Sequence, residues 1–188
     1  MTKLNGFTLA EVLITLVVIG VIAAMTIPTL IQSMNKQEYR TGLKKSISTL
    51  NEALEMQYAL NNDNLSDSSY ATPKDVVEKV FAKRLSIIKS NPAGTGDGWP
   101  ANGYQFYTAD GMKMEVYDNK YDCADDGTSR CFWMLIDVNG DKGPNKYTSD
   151  STDPYDIFDA QLFANKVTAY NAAQGIMYES KNNTYSGG

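Results

Sequence analysis

The sequence predicts an α+β protein: a long N-terminal helix, transmembrane in its first half, packed on a C-terminal antiparallel β-sheet head. Three observations lead there. From Phe7 to Ile27 there are 21 residues and one charge, Glu11. At about 1.5 Å of rise per residue that run reaches roughly 30 Å, the hydrocarbon thickness of a bilayer. Beyond Pro28, Tyr39, Leu43, Ile47, Leu50, Leu54 and Tyr58 recur at spacings of four and three, as on a helix with one buried face. From Tyr104 the apolar period falls to two, the period of strands.

The first helix is expected from about Phe7 to Leu60, with residues 7–30 as its apolar half and 31–60 as its amphipathic half. Lys36, Lys44, Lys45, Glu52 and Glu55 fall largely off the stripe. Gly20 and Ala24 form a small-xxx-small pair that lets helices approach closely. Pro28 removes a backbone donor and should kink the helix, and with Gly20 it brackets a stretch of weak helix stability.

The head is expected over residues 61–188. Asn61 to Ala71 is rich in Asn, Asp and Ser and reads as a loop. A second helix then starts with Thr72 as N-cap, Pro73 in the first helical position and Asp75 in the first turn. Val76, Val77, Val80, Phe81, Leu85 and Ile88 supply its apolar face, and Asn91-Pro92 ends it before a loop with Gly94, Gly96, Gly98 and Trp99. Tyr104–Tyr107 and Met112–Tyr117 flank Ala109-Asp110-Gly111, a hairpin signal. Cys131–Asp137 reads as a buried strand. Ile157–Phe163 and Val167–Tyr170 flank Asn165-Lys166, a second hairpin. The sheet should have four or five strands on the C-terminal half of the long helix. Asn171 to Tyr178 is a candidate for return to the core, and Glu179 to Gly188 reads as a polar tail.

Composition excludes several chemistries. The chain has 188 residues and no histidine, so the commonest general base and metal ligand is missing and no Ser-His-Asp or Cys-His site exists. Its 17 basic and 22 acidic residues argue against strong nucleic-acid binding. Cys123 and Cys131 cannot complete a zinc site, and in an exported domain such a pair is expected as a disulfide.

Asp137-Val-Asn139-Gly-Asp141-Lys-Gly-Pro-Asn145 places oxygen side chains at every second residue, the spacing of the first half of an EF-hand loop. The sixth position is Lys142 instead of Gly, and the twelfth is Thr148 instead of a bidentate Glu. Asp150, Asp153 or Asp156 could substitute. The loop is a candidate calcium site with Asp137, Asn139, Asp141, Asn145 and Asp150 as ligands. The competing reading is a turn in which Asp and Asn cap their own backbone.

A polar leader with Lys3, then Gly6, Phe7, Thr8, Leu9 and Glu11, then about twenty apolar residues ahead of Pro28, resembles the N-terminus of type IV pilins and type II secretion pseudopilins. The resemblance covers Lys3 to Ile31, extends in support to about Leu60, and is weak beyond. It implies a pilin-like fold and a leader, residues 1–6, that prepilin peptidase removes between Gly6 and Phe7. It also implies N-methylation of Phe7 and assembly into a helical filament in which Glu11 pairs with the Phe7 ammonium of a neighbouring subunit. Residues 7–30 would then form the filament core. A calcium loop in this part of the head is a feature of major pseudopilins. Two buried opposite charges neutralise each other, whereas either alone is an uncompensated buried charge. Losing the leader removes Lys3 alone among the charges, leaving 16 basic against 22 acidic residues and a net charge of −6.

The expected function is therefore a non-enzymatic filament subunit in the cytoplasmic membrane. Its head would be extracytoplasmic and its partners itself, related subunits, prepilin peptidase and the assembly machinery. Lys36, Arg40, Lys44 and Lys45 after the apolar run oppose that orientation on a simple charge count, and the cysteine pair and the leader decide it. Protein export by a pseudopilus is the first expectation; a surface pilus for adhesion, motility or DNA uptake is the second. A tethered binding domain, or a secretory signal cut near Ala23 or Ala24, would need no polymer.

Overall fold

The computed structural model describes residues 8–92, 99–118, 120–147, 155–171 and 173. It divides into two compact units, residues 1–37 and 38–188. Helix α1 (Leu9–Asn61) contributes residues to each.

Within the first unit α1 continues without a break through Pro28. The hydroxyls of Thr15, Thr26 and Thr29 donate to the carbonyls of Val12, Ile22 and Thr26 at 2.9, 3.0 and 2.9 Å. Each polar side chain is thus satisfied by its own helix, which an apolar surrounding requires.

The second unit is built on six strands: β1 (Ile87–Pro92), β2 (Tyr104–Thr108), β3 (Lys113–Tyr117), β4 (Arg130–Asp137), β5 (Ile157–Phe163) and β6 (Val167–Ala169). They lie in sequence order with every neighbour antiparallel, so each strand pairs with the next one in the chain. Gly111, at φ +90°, makes the β2–β3 turn as the Ala-Asp-Gly signal predicts.

Tyr39, Leu43, Ile47, Leu50 and Leu54 of α1 are buried with Phe106, Met114, Phe132, Met134, Ile136, Phe158 and Leu162 in one core. Each such side chain contributes about 1.5–3 kcal/mol through burial. Gly42 sits where a Cβ would lie 2.9 Å from the Val138 Cβ, so this helix turn needs a residue without a side chain. Trp99, Leu135 and Ile157 form a second, smaller cluster with Tyr117 and Tyr147 packed against it.

Three expectations need correction. The stripe does not end on Tyr58, which is 54% exposed; Gln57 is buried in its stead. Gln57 can be buried because its amide donates to Asp63 Oδ1 and the Tyr70 hydroxyl, both at 2.8 Å, and accepts from Arg84 at 3.1 Å. The second helix is shorter than expected. Thr72 and Asp75 form the reciprocal cap that the sequence signals, over α2 (Pro73–Val76). A π-helical turn (Val77–Phe81) and α3 (Ala82–Arg84) follow, and Leu85 is already extended. Ile88 therefore does not face the core: it lies in a bulge of β1, 71% exposed. That strand makes the sheet six-stranded, where four or five were expected. The β-branched pair Ile87-Ile88 and pairing with β2 outweigh the helical continuation.

Cys123 and Cys131 are joined in a disulfide, as expected. Ala173 is fully buried. The glycine loop before Trp99, most of the 171–178 segment and the 179–188 tail lie outside the described residues.

Candidate assembly segment and head loop

The first helical turn of α1 has a local chemistry of its own. Thr8 donates its backbone N–H and its hydroxyl to Glu11 Oε2, each at 2.8 Å, and its hydroxyl oxygen accepts from the Glu11 N–H at 3.2 Å. This is a reciprocal cap: the side chain three residues in returns to the backbone of the capping residue. It accounts for one oxygen of the only acid in the apolar run without using another chain. The Thr-x-x-Glu spacing carries this signal in plain sequence, whereas the partner that the resemblance implies for Glu11 is the Phe7 ammonium of a neighbouring subunit. The structure thus places Glu11 at an N-terminal cap, where the positive end of the helix dipole also favours it. Gly6 and Phe7, the expected cleavage and methylation residues, lie outside the described residues.

Between Leu9 and Met34 the surface is apolar and open. Leu13, Ile14, Val17, Ile19, Met25, Leu30 and Met34 are each more than half exposed. Alpha helix α1 is long and apolar enough to cross a membrane, and none of its most apolar window is buried. An exposed apolar surface of this extent marks a membrane or protein contact. A Cβ at Gly20 would meet nothing within 4 Å, so the small-residue pair with Ala24 is open to approach.

In the head, the loop after β4 is organised by two buried carboxylates, Asp137 and Asp156, 2% and 0% exposed. Asp156 accepts from the backbone N–H of Asn145 at 3.0 Å and of Lys146 at 2.8 Å. Its own N–H donates to the Lys146 carbonyl at 3.2 Å. Asp137 accepts from the Asn139 N–H at 3.2 Å. Burial pushes the Asp137 carboxyl up to about 7; the Asn139 N–H works against this and the Asp156 charge adds to it.

Of the expected calcium ligands, Asp137 and Asn139 stand together and Asp141 does not join them. The Asp141 side chain is 76% exposed, 3.9 Å from Lys113 Nζ, and it accepts from the Tyr107 hydroxyl at 3.4 Å. Asn145 takes a left-handed backbone at φ +52° and enters through its N–H to Asp156. Asp150 lies outside the described residues. The Asn139 amide nitrogen donates to the Gly143 carbonyl at 3.1 Å, while Asn139 Oδ1 is buried without a hydrogen-bond partner among the described residues. That orphaned oxygen beside a buried carboxylate is compatible with a hard cation. Among the described residues, however, no group of three or more acidic side chains gathers to hold a metal.

Neither a curated protein nor a solved structure matches the chain. Residues 1–27 match the family described as the prokaryotic N-terminal methylation motif. With the exposed apolar helix, that motif points to anchoring in a membrane. The chain therefore carries, over residues 1–27, the prepilin-type signal characteristic of type IV pilins and pseudopilins, ahead of an α+β head.

Proposed function

We propose that this chain is a subunit of a pseudopilus, a type IV pilus-like filament that drives protein export in a type II secretion system. The observation that carries the polymer reading is a methylation motif on an apolar helix whose most apolar window is unburied among the described residues. A membrane covers such a surface before assembly, and the helices of other copies cover it afterwards. Prepilin peptidase cleaves between Gly6 and Phe7, and the new Phe7 amine is methylated. Glu11 then exchanges its cap on Thr8 for the Phe7 ammonium of a neighbouring subunit. A charge pair formed only between copies sets register as well as attraction. The helix resides in the cytoplasmic membrane with the head outside the cytoplasm. The chemistry is assembly, without catalysis.

Mass measurement of the protein purified from its membrane tests the processing step. A mature mass lacking Met1 to Gly6 and carrying one added methyl is expected; a mass that still includes the leader refutes it. Glu11→Ala should abolish filaments while leaving the subunit in the membrane. Filaments unchanged by that substitution would leave a tethered head as the function. Deleting the gene should trap secreted proteins in the periplasm. Normal secretion with loss of extracellular fibres would instead make the filament a surface pilus.

We also propose that the head loop takes calcium through Asp137 and the free Asn139 oxygen, with Asp156 bracing the loop. Calcium requires six to eight oxygens, so backbone carbonyls and water would complete its shell. The ion would compensate the buried Asp137 charge and stabilise the head. Calcium titration read by thermal melting tests this, and an unmoved melting temperature refutes it.

A further inference from the structure

A cleft of about 410 Å³ opens at the C-terminal end of α1, lined by Leu54, Glu55, Tyr58, Asn64, Asp125 and Asn165. Small-molecule sites fall in the range of about 300–1,000 Å³. All six residues belong to the head unit, and four separate elements supply them: α1, the loop after it, the disulfide loop and the β5–β6 turn.

These walls are tied together. Asn51 of α1 holds the β5–β6 turn in both directions, donating to the Val167 carbonyl at 3.1 Å and accepting from its N–H at 2.7 Å. Leu65 N–H donates to the Ala164 carbonyl at 3.0 Å. The Asn64 amide donates to Asp125, and the Ser66 hydroxyl donates to the same carboxylate at 3.3 Å. The Cys123–Cys131 disulfide closes the loop that carries Asp125. Gly127, at φ +70°, lets that loop approach so closely that a Cβ would lie 2.7 Å from Asn165 Oδ1. The cleft is thus pre-formed from a braced frame.

Its lining is unspent. The side chains of Glu55, Tyr58 and Asn165 make no hydrogen bond or ion pair to another described residue, whereas Asn64 and Asp125 are held in place by their neighbours. Tyr58 presents its ring at 54% exposure above buried Leu54. This is the residue that the helical stripe assigns to the core and the structure turns outward. Among the described residues no basic side chain lines the cleft, and two carboxylates do, so an anionic ligand is disfavoured.

We propose that this cleft binds a neutral saccharide. Vicinal hydroxyls each donate and accept, and they match planar carboxylate and carboxamide groups that have open capacity. The weakly polar C–H face of a pyranose ring matches an exposed tyrosine ring, and a phenol at an interface supplies contact area at small entropic cost. Glu55 and Asn165 hold hydroxyls, Tyr58 stacks on the ring, and Asp125 receives a further hydroxyl at the oxygen its neighbours leave free. Every residue of the site belongs to the head unit, so it does not depend on the polymer reading.

The test uses the full chain in a zwitterionic detergent without a sugar headgroup. Maltotriose, cellotriose and chitotriose are each titrated by calorimetry and by ligand-observed NMR. One of them is expected to bind with a Kd between about 10 μM and 1 mM. Tyr58→Ala and Asn165→Ala should each weaken it about tenfold or more, with an unchanged far-ultraviolet spectrum. Glu55→Gln keeps the hydrogen-bonding plane and should weaken it less than about threefold. Absence of binding at about 10 mM of all three sugars overturns the proposal. So does binding that survives the Tyr58→Ala, Asn165→Ala pair. Binding of a lysine-rich peptide in place of sugar, lost in Glu55→Gln, would overturn it in favour of a cation pocket.

Discussion

Asp137→Asn is the substitution that probes the buried charge of the head loop directly. Asp137 is 2% exposed, and burial holds its carboxyl at about 7, against 3.8 for an ordinary aspartate. A displacement of that size corresponds to about 4 kcal/mol. The folded state binds the proton more tightly than the unfolded chain does. Stability is therefore highest below the unfolded value near 3.8, falls as pH rises, and has lost this amount once pH passes about 7. Asparagine cannot ionise, and its oxygen can still accept the Asn139 N–H. Its new amide protons need partners, and leaving one unmet costs about 1–3 kcal/mol. The net gain at about pH 8 is then roughly 1–3 kcal/mol, or roughly 3–10 °C in melting temperature for a head of this size. Near pH 4.5 the gain should vanish or reverse. The assay is thermal unfolding of the full chain in detergent, read by near-ultraviolet dichroism from about pH 4.5 to 8, with calcium chelated. Calcium at about pH 8 should raise the wild-type midpoint and leave the variant unmoved. A wild-type midpoint flat across that range, or a variant no more stable than wild type at the upper end, would refute the reasoning.

Three further outcomes follow from named contacts. Gly42→Val forces side-chain atoms against Val138, where even a Cβ would stand 2.9 Å away, and should cost about 1–3 kcal/mol in thermal unfolding. Gly42→Ala should fall well below Gly42→Val. Replacing both Cys123 and Cys131 by Ser opens a loop with a sequence separation of 8 and should cost about 2.5 kcal/mol by loop entropy, measured by chemical denaturation. Thr8→Val removes both hydroxyl bonds to Glu11 and should fray the first turn of α1 by about 0.5–2 kcal/mol. Hydrogen exchange at the Glu11 and Val12 amides in detergent reads that fraying, and Thr8→Ser should restore protection.

What could be read from sequence alone, and what could not, divides along a physical line. The apolar run, the α1 stripe from Tyr39 to Leu54, the Thr72–Asp75 cap, the two hairpins and the disulfide were legible because each is a local or periodic signal. The end of α2 was not, because Val77 to Ile88 satisfies a helical period and a strand composition alike. Pairing with β2 decides between them, and that partner lies about twenty residues on. Tyr58 and Gln57 exchanged places for a similar reason. A helical stripe ranks residues by apolarity, but a buried glutamine is stable where Asp63, Tyr70 and Arg84 converge on it, and none of these is adjacent in sequence. In the head loop, alternating oxygens marked a polar segment without showing which of its side chains stand together. Spacing alone cannot register that Lys113 and Tyr107 draw Asp141 aside, or that Asp156 arrives from the start of β5 to hold the loop. The reverse happened at Glu11. Its partner Thr8 sits three residues away, in a spacing that signals a helix cap. An acid already satisfied within its own first turn enters a membrane at a lower penalty than a bare carboxylate, and it can still be captured by a stronger, fully charged partner. In the proposed filament, that difference in strength, between neutral donors and an ammonium, would favour the paired subunit over the capped one.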